Sequence, residues 1–283
     1  MAKVSWMYKN FCNSASSITD TFGTSDTTYG TANLIDNNLH TTWNLDRSDL
    51  TNQPYASVVF DFGSSVSVDS LIVVHNSDSG TMYFLASDTT SFEFFTESPF
   101  VIGDTPYVLS DTPLNYGNAL SGMYGLPILG STGTSMHFIS APVSYRYWGL
   151  FIGGTHFDEA IKVNEVFVGK RDNLPVNPEY SFRKEMDSST ITTTSEKGQK
   201  RVYHKYTRNN WEFDYSSIDD AVYGTMLKIR RYCNGSYRPF WICFDIDDKP
   251  QETFMVRFGK NGFTHSEVNY GNHNVNIRLE QEL

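Results

Sequence analysis

Asn33-Leu34-Ile35-Asp36-Asn37-Asn38-Leu39-His40-Thr41-Thr42-Trp43 is the stretch on which the reading of this chain turns. It is too polar for a core helix and too rich in turn formers for a long strand. Oxygen-bearing side chains at Asp36, Asn38 and Thr41 fall within six residues, and a large aromatic ends the segment at Trp43. Two readings are open. Such a loop can wrap a hard cation, or it can close on itself through side-chain-to-backbone bonds. A calcium ion wants six to eight oxygens, so turn carbonyls and a distant carboxylate would have to help, and Glu165 is the candidate.

Outward from this loop the chain reads as strand after strand. Val58-Val59-Phe60-Asp61-Phe62-Gly63 is a strand expected to end at Gly63, and Val66, Val68 and Leu71–Val74 continue as β-branched apolar sequence. Tyr83–Leu85 and Phe92–Phe95 add two short strands. Residues 99–135 carry recurring Pro, Gly, Ser and Asn without a sustained period, which marks an irregular insertion. Strands return at Ser144–Ile152 and Ile161–Gly169. Arg171–Pro178 holds two prolines in a polar setting, so the expected boundary is a linker over 171–180, between a domain at 1–170 and one at 181–283.

In the second half Ser189–Thr194, Arg201–Arg208 and Trp211–Tyr215 read as strands. A helix is expected to start at Ser216, with Asp219 completing a capping pattern and Asn234-Gly235 as the stop. Phe240–Ile246, Thr253–Phe258 and Val275–Leu279 are further strands, and Asn261-Gly262 predicts a tight turn. The expected class is therefore all-β, with one helix in the second domain.

Composition narrows the function. The 283 residues carry a net charge of −10, which argues against a nucleic-acid partner, since that needs a basic stripe. No apolar run reaches the roughly 20 residues of a membrane span, so no membrane insertion is expected. The N-terminus has no long apolar signal core, so folding in a cytoplasm is expected. Cys12, Cys233 and Cys243 cannot all pair, and reduced thiols are the default, with a Cys233–Cys243 bridge as the alternative. There is no phosphate loop, no HExxH and no GxSxG elbow, and adjacent acids such as Asp219-Asp220 cannot face each other as a glycosidase pair would. His156-Phe157-Asp158-Glu159 reads as an exposed loop. No catalytic residues are assigned, and a non-enzyme is expected.

Taken with Val59–Gly63, Val68–Leu71, Tyr147–Leu150 and Glu165–Gly169 in this order, the Asn33–Trp43 loop resembles the signature of the discoidin, or coagulation factor 5/8 type C, group and its carbohydrate-binding modules. The resemblance spans residues 1–170. It implies a galactose-binding-like β-sandwich jelly roll and a structural Ca2+ held by Asp36, Asn38, Thr41 and Glu165. Asn38 stands where the group usually has an acid, which lowers the charge of the site. The terminal cysteine pair of secreted members is absent, and the 99–135 insertion departs from the pattern. Loop aromatics Tyr55, Tyr116 and Tyr124 are the candidates for contacting a sugar.

The second half resembles small tail proteins of tailed bacteriophages, in Trp211–Phe213, the capped helix, Arg238–Ile242, Met255–Phe258 and Val275–Glu280. That resemblance implies a structural component of a virion tail, near the tip or baseplate. It would be made in the host bacterial cytoplasm and assembled as a homo-oligomer in a symmetric ring with other virion proteins. The alternative is a carbohydrate-binding adhesion module for host-surface glycans.

Overall fold

The computed structural model describes residues 4–22, 29–44, 55–75, 81–88, 107–108, 125–127, 133–153, 162–178, 183–197, 199–247, 249 and 252–282. Among them lie fourteen strands and one α-helix: β1 (Ser5–Asn10), β2 (Ser17–Phe22), β3 (Trp43–Asn44), β4 (Tyr55–His75), β5 (Thr81–Ser87), β6 (Tyr107–Val108), β7 (Gly125–Pro127), β8 (Gly133–Gly153), β9 (Lys162–Asn173), β10 (Arg183–Thr194), β11 (Lys200–Asp219), α1 (Asp220–Tyr232), β12 (Phe240–Cys243), β13 (Thr253–Asn269) and β14 (Asn272–Gln281). The class is all-β, as the alternation predicts. The expected strand at Phe92–Phe95, the loop His156–Glu159 and most of the 99–135 insertion lie outside the described residues.

The chain divides into two compact units, 9–171 and 1–8 together with 172–283. The first unit is an antiparallel β-sandwich built on two long strands. The first half of β4 pairs with β2 and with the end of β8 (Val58 opposite Leu150), and its second half pairs with β9 and with the start of β8 (Ile72 opposite Phe167 and Met136). The neighbours of β4 change along its length, and the ladder with β8 breaks between Asp61 and Val66 and again between Val68 and Ser70. Gly63, expected to end the strand, instead sits inside the first break at φ +73°. A side chain there would be strained, and its Cβ would meet the Ser16 hydroxyl at 2.6 Å. Arg146 lies opposite and donates to both carboxylate oxygens of Asp61, Nε to Oδ1 at 2.8 Å and Nη2 to Oδ2 at 2.9 Å.

The sandwich core comprises Leu34, Trp43, Val58, Phe60, Leu71 and Trp148, among others. Its buried polar anchor is Asn10. The Asn10 amide donates to Val166 O at 2.8 Å, and its oxygen accepts from the backbone amides of Cys12 at 3.1 Å and Val168 at 3.2 Å. Asn10→Ala leaves three backbone groups without this partner in a dry site. An expected loss of about 2–3 kcal/mol would be read from denaturant midpoints, and an unchanged midpoint would refute it.

The second unit is a sheet in the order β10-β11-β14-β13-β12-β1, with α1 packed on it. Its first strand comes from the very start of the chain, Ser5 opposite Cys243 and Met7 opposite Trp241. The expected domain at 1–170 did not separate these first residues from the sandwich. Trp6 is stacked on Phe240 and Phe258, with Phe213 edge-on. The segment read as a linker is only partly open, since β9 continues to Asn173 and Leu174 is fully buried in this core.

Two local expectations are corrected. Ser216 and Ser217 remain in β11, and the helix cap is Asp219, whose carboxylate accepts the Val222 amide at 2.8 Å. The helix buries Val222, Met226 and Ile229, whereas Ala221 is exposed. Asn261-Gly262 is a bulge within β13, not a hairpin turn. Residues 259–262 face the single residue Arg278 between the pairs Phe258–Leu279 and Phe263–Ile277, and Asn261 takes φ +56°. The β13–β14 hairpin turns later, at Tyr270-Gly271, with Gly271 at φ +76°.

Candidate functional site

The Asp36 loop is bracketed by two fully buried anchors, Leu34 and Trp43, which hold both of its ends in the sandwich core. Between them the chain closes on itself. Asn33 donates to Thr42 O at 2.7 Å across the base. Asp36 Oδ1 accepts the Asn38 amide at 2.9 Å, and Asn38 Oδ1 accepts the His40 amide at 3.1 Å, giving two successive Asx turns. Asn37 between them takes φ +59°, which Asn tolerates better than most residues. The Thr41 hydroxyl lies 2.7 Å from Asp36 Oδ2 and 2.8 Å from Asn38 O.

Strand pairing then sets the floor of the loop. Trp43 opposes Val163 and Asn44 opposes Lys162, so the next residues of β9 lie beneath the turn. Asn164 donates to Leu39 O at 2.8 Å and Thr41 O at 3.2 Å, and Glu165 Oε2 accepts the Asn37 amide at 3.0 Å. Glu165 is 2% exposed. Burial pushes its carboxyl pKa up, the Asp36 charge pushes the same way, and the Asn37 amide opposes them. An ionised Glu165 is therefore costly unless positive charge comes close.

The structure thus brings Asp36 and Thr41 together and sets Glu165 against the same turn, while the Asn38 side chain serves the His40 amide. Two carboxylates, a hydroxyl and turn carbonyls form an oxygen-only donor set, which fits a hard cation such as Ca2+. Among the described residues no three His, Cys, Asp or Glu side chains converge in a metal-binding cluster. The carboxylates would therefore need the Thr41 hydroxyl and backbone oxygens to complete the shell.

The sugar-contact candidates are placed less fully. Tyr55 is the first residue of β4 rather than a loop residue, and its side chain is outside the described residues, as are Tyr116 and Tyr124 altogether. All three cysteines are free and buried. Burial pushes each thiol pKa up, Cys233 to about 12, so none is primed as a nucleophile.

His75 ends β4, 2% exposed, and burial holds its pKa below the ordinary 6.5. The fold therefore favours the neutral ring. Its contribution is present above pH 6.5 and is lost as the pH falls and the buried imidazole must take a proton. The sandwich is expected to lose stability on acidification below that point, and His75→Phe to flatten this slope. An unchanged slope in pH-dependent melting would refute it.

Two features of the second unit were not legible beforehand. His273, 6% exposed, joins Asp220 through Nε2 at 2.7 Å and His265 through Nδ1 at 3.0 Å, with Tyr223 stacked on both rings. Asp220 accepts from His273 Nε2; a neutral His273 ring then accepts from His265 Nε2 at Nδ1, whereas a protonated ring donates at both nitrogens. The alternation of β13 and β14 was the available signal, but it does not reveal that α1 delivers Asp220 and Tyr223. A cleft of about 390 Å³ opens beside Arg183, Glu212, Lys260 and Arg278. Two of its cations are paired, Arg278 with Glu212 at 2.8 Å and Arg183 with Glu185, and Asn276 donates to both Glu212 and Asp214.

No protein-family model matches the chain, and no curated protein matches it. Solved structures similar to it include a family 32 carbohydrate-binding module of Clostridium perfringens, with 15% identity and a TM-score of 0.37, covering 57% of this chain and 99% of the module. Chitosan-binding module 1 of a Paenibacillus chitosanase/glucanase has 10% identity and a TM-score of 0.39, with 57% and 99% covered. The family 32 module of C. perfringens NanJ, solved with galactose, has 10% identity and a TM-score of 0.36, with 59% and 99% covered.

Proposed function

We propose that this chain is a non-enzymatic binding protein whose sandwich unit takes up carbohydrate. The observation that carries the reading is the Asp36 loop docked on Asn164 and Glu165. Asp36 and Glu165 are distant in sequence, the discoidin resemblance links them, and β3–β9 pairing brings their segments together. In this reading Ca2+ is structural. Asp36, Thr41 and Glu165 would hold it with turn carbonyls, and it would neutralise the buried carboxylate. Sugar contact falls to Tyr55, Tyr116 and Tyr124, whose rings offer flat apolar faces with a polar tip. A glycan array with the intact protein tests this. Binding should appear and should weaken when the three tyrosines are replaced by Ala, and a folded protein that binds no glycan removes the reading.

A second reading is a structural protein of a bacteriophage virion, at the tail tip or baseplate in a symmetric ring. It is favoured by the exposed β10–β11 ribbon of the second unit, which a free-standing binding module does not need. Mass spectrometry of purified particles decides this one, since a virion protein must be present in them.

A further inference from the structure

The β10–β11 hairpin leaves its sheet. From Asn210 onward β11 pairs with β14, but its earlier residues pair only with β10. The outer part is a two-stranded ribbon, from Ser188 opposite Thr207 to Thr194 opposite Lys200, a run of roughly 20 Å at about 3.3 Å per residue. It is exposed almost throughout. Its root is braced. Arg208 pairs with Glu280 at 3.0 Å and Asp187 at 3.4 Å, and lies over the Tyr206 ring at 5.9 Å. The Thr207 hydroxyl meets His204 Nε2 at 2.7 Å and the Ser188 hydroxyl at 3.2 Å. Lys205 stands outside the ladder, between the pairs Ser189–Tyr206 and Thr190–His204.

One face of the ribbon makes a shallow platform. Ile191 and Tyr203 face each other across the ladder, and on the same face Tyr206 follows toward the root and Arg201 toward the tip. Both rings are partly bare, Tyr203 at 53%. The charge is one-sided. Residues 188–207 hold Lys197, Lys200, Arg201 and Lys205 against Glu196 alone, a net of +3. These four cations enter no ion pair among the described residues, whereas Arg183 and Arg208 at the root are paired. The rest of this unit is close to balance, with eleven Lys/Arg against thirteen Asp/Glu among the described residues. At physiological salt charges more than about 8 Å away are largely screened, so the ribbon's own charge dominates what a ligand lying along it meets.

We infer that the ribbon is a binding arm for an acidic polysaccharide, a sugar chain that carries carboxylate or sulfate groups. The choice of a sugar rests on the carbohydrate reading above, which the arm extends to a second surface. Tyr203 and Tyr206 offer flat apolar faces to sugar rings and hydroxyls to their polar groups, while Arg201 and the lysines take the acid groups. Charge density agrees with a sparsely charged polymer. Four cations over roughly 20 Å is about one per 5 Å, whereas duplex DNA presents one charge per about 1.7 Å, most of which would stay uncompensated. An anionic bilayer fits less well. The apolar side chains would reach lipid only by carrying the ribbon's two open edges into hydrocarbon, where their backbone groups find no partner.

Titration calorimetry of the full chain with heparin and with polygalacturonate, at low and high salt, tests the arm. The wild type should bind, and binding should weaken as salt rises. Binding to one probe alone also supports the arm and names its acid group, sulfate for heparin and carboxylate for polygalacturonate. K200E/R201E/K205E should lose about tenfold or more in affinity and flatten the salt dependence. Y203A/Y206A should lose about tenfold with the salt dependence kept, and melting should be unchanged in both variants. A wild type that binds neither probe at low salt overturns the inference, as do ribbon variants that bind like wild type. Single-stranded DNA or phosphatidylserine vesicles bound more tightly than both probes through the same residues also overturn it, in favour of nucleic acid or membrane. On a glycan array, acidic sugars lost by K200E/R201E/K205E report the arm and sugars it keeps report the sandwich, so either reading can fail alone.

Discussion

Trp6→Ala should unfold the second unit while leaving the sandwich standing. Trp6 is 1% exposed and packs on Phe240, Phe258 and Phe213. Removing a buried indole costs about 3–5 kcal/mol, a large share of the stability of a unit this size. The effect reaches beyond one cavity, because Trp6 sits mid-strand opposite Ile242 and secures β1 to β12. Losing β1 would strip the sheet of a strand and expose Ile242, Val256 and their neighbours. Chemical denaturation followed by hydrogen exchange should show residues 172–283 unfolding early and 9–171 unchanged, with Trp6→Phe intermediate. A second unit as protected as in wild type would end the argument that the first residues complete it.

Calcium should raise the melting transition of the sandwich, and Glu165→Gln should remove most of that response. Glu165 is buried, and its charge is disfavoured by that burial and by Asp36. A divalent ion changes the sign of that balance. At a hundredfold excess over its dissociation constant a ligand stabilises by about 2.7 kcal/mol. In chelator the Gln variant should be at least as stable as wild type, because a neutral amide avoids charging a dry site and can still accept from the Asn37 amide. Magnesium, smaller and strict about octahedral geometry, should act more weakly. If calcium leaves the transition in place and calorimetry detects no heat of binding, the loop is closed by its Asx turns alone.

How much of this could be read from sequence depended on range. The Asp36 loop was legible because its anchors, its turn formers and its hydroxyl lie within eleven residues, and Glu165 entered as a candidate for the distant carboxylate a cation would need, a choice the resemblance then reinforced. The strands were legible from alternation. Arg201–Arg208 and Trp211–Tyr215 read as two strands, yet they form one, β11, because polar Asn209-Asn210 hides a backbone that never leaves the ladder. Asn261-Gly262 misled for a physical reason: a left-handed residue suits a bulge as well as a turn, and only the partner strand decides which forms. Ser216 lost the helix cap to Asp219 because β14 still pairs with Ile218 and Asp219. The ribbon showed its β propensity but not its exposure, since Thr and Tyr fill buried and bare strands alike. The His265–His273–Asp220 chain joins three elements, and no local pattern announces it.

The placement of Ser5–Met7 against Trp241–Cys243 also sets a timetable for biosynthesis. β1 is translated before the sandwich, and its partner β12 only after the whole of it. At usual elongation speeds the delay is roughly ten to fifty seconds. The sandwich strands are all complete before then and can fold in the interval. For that time β1 is a nascent strand with no partner strand from β12, so an aggregation hazard of this chain is concentrated at β1.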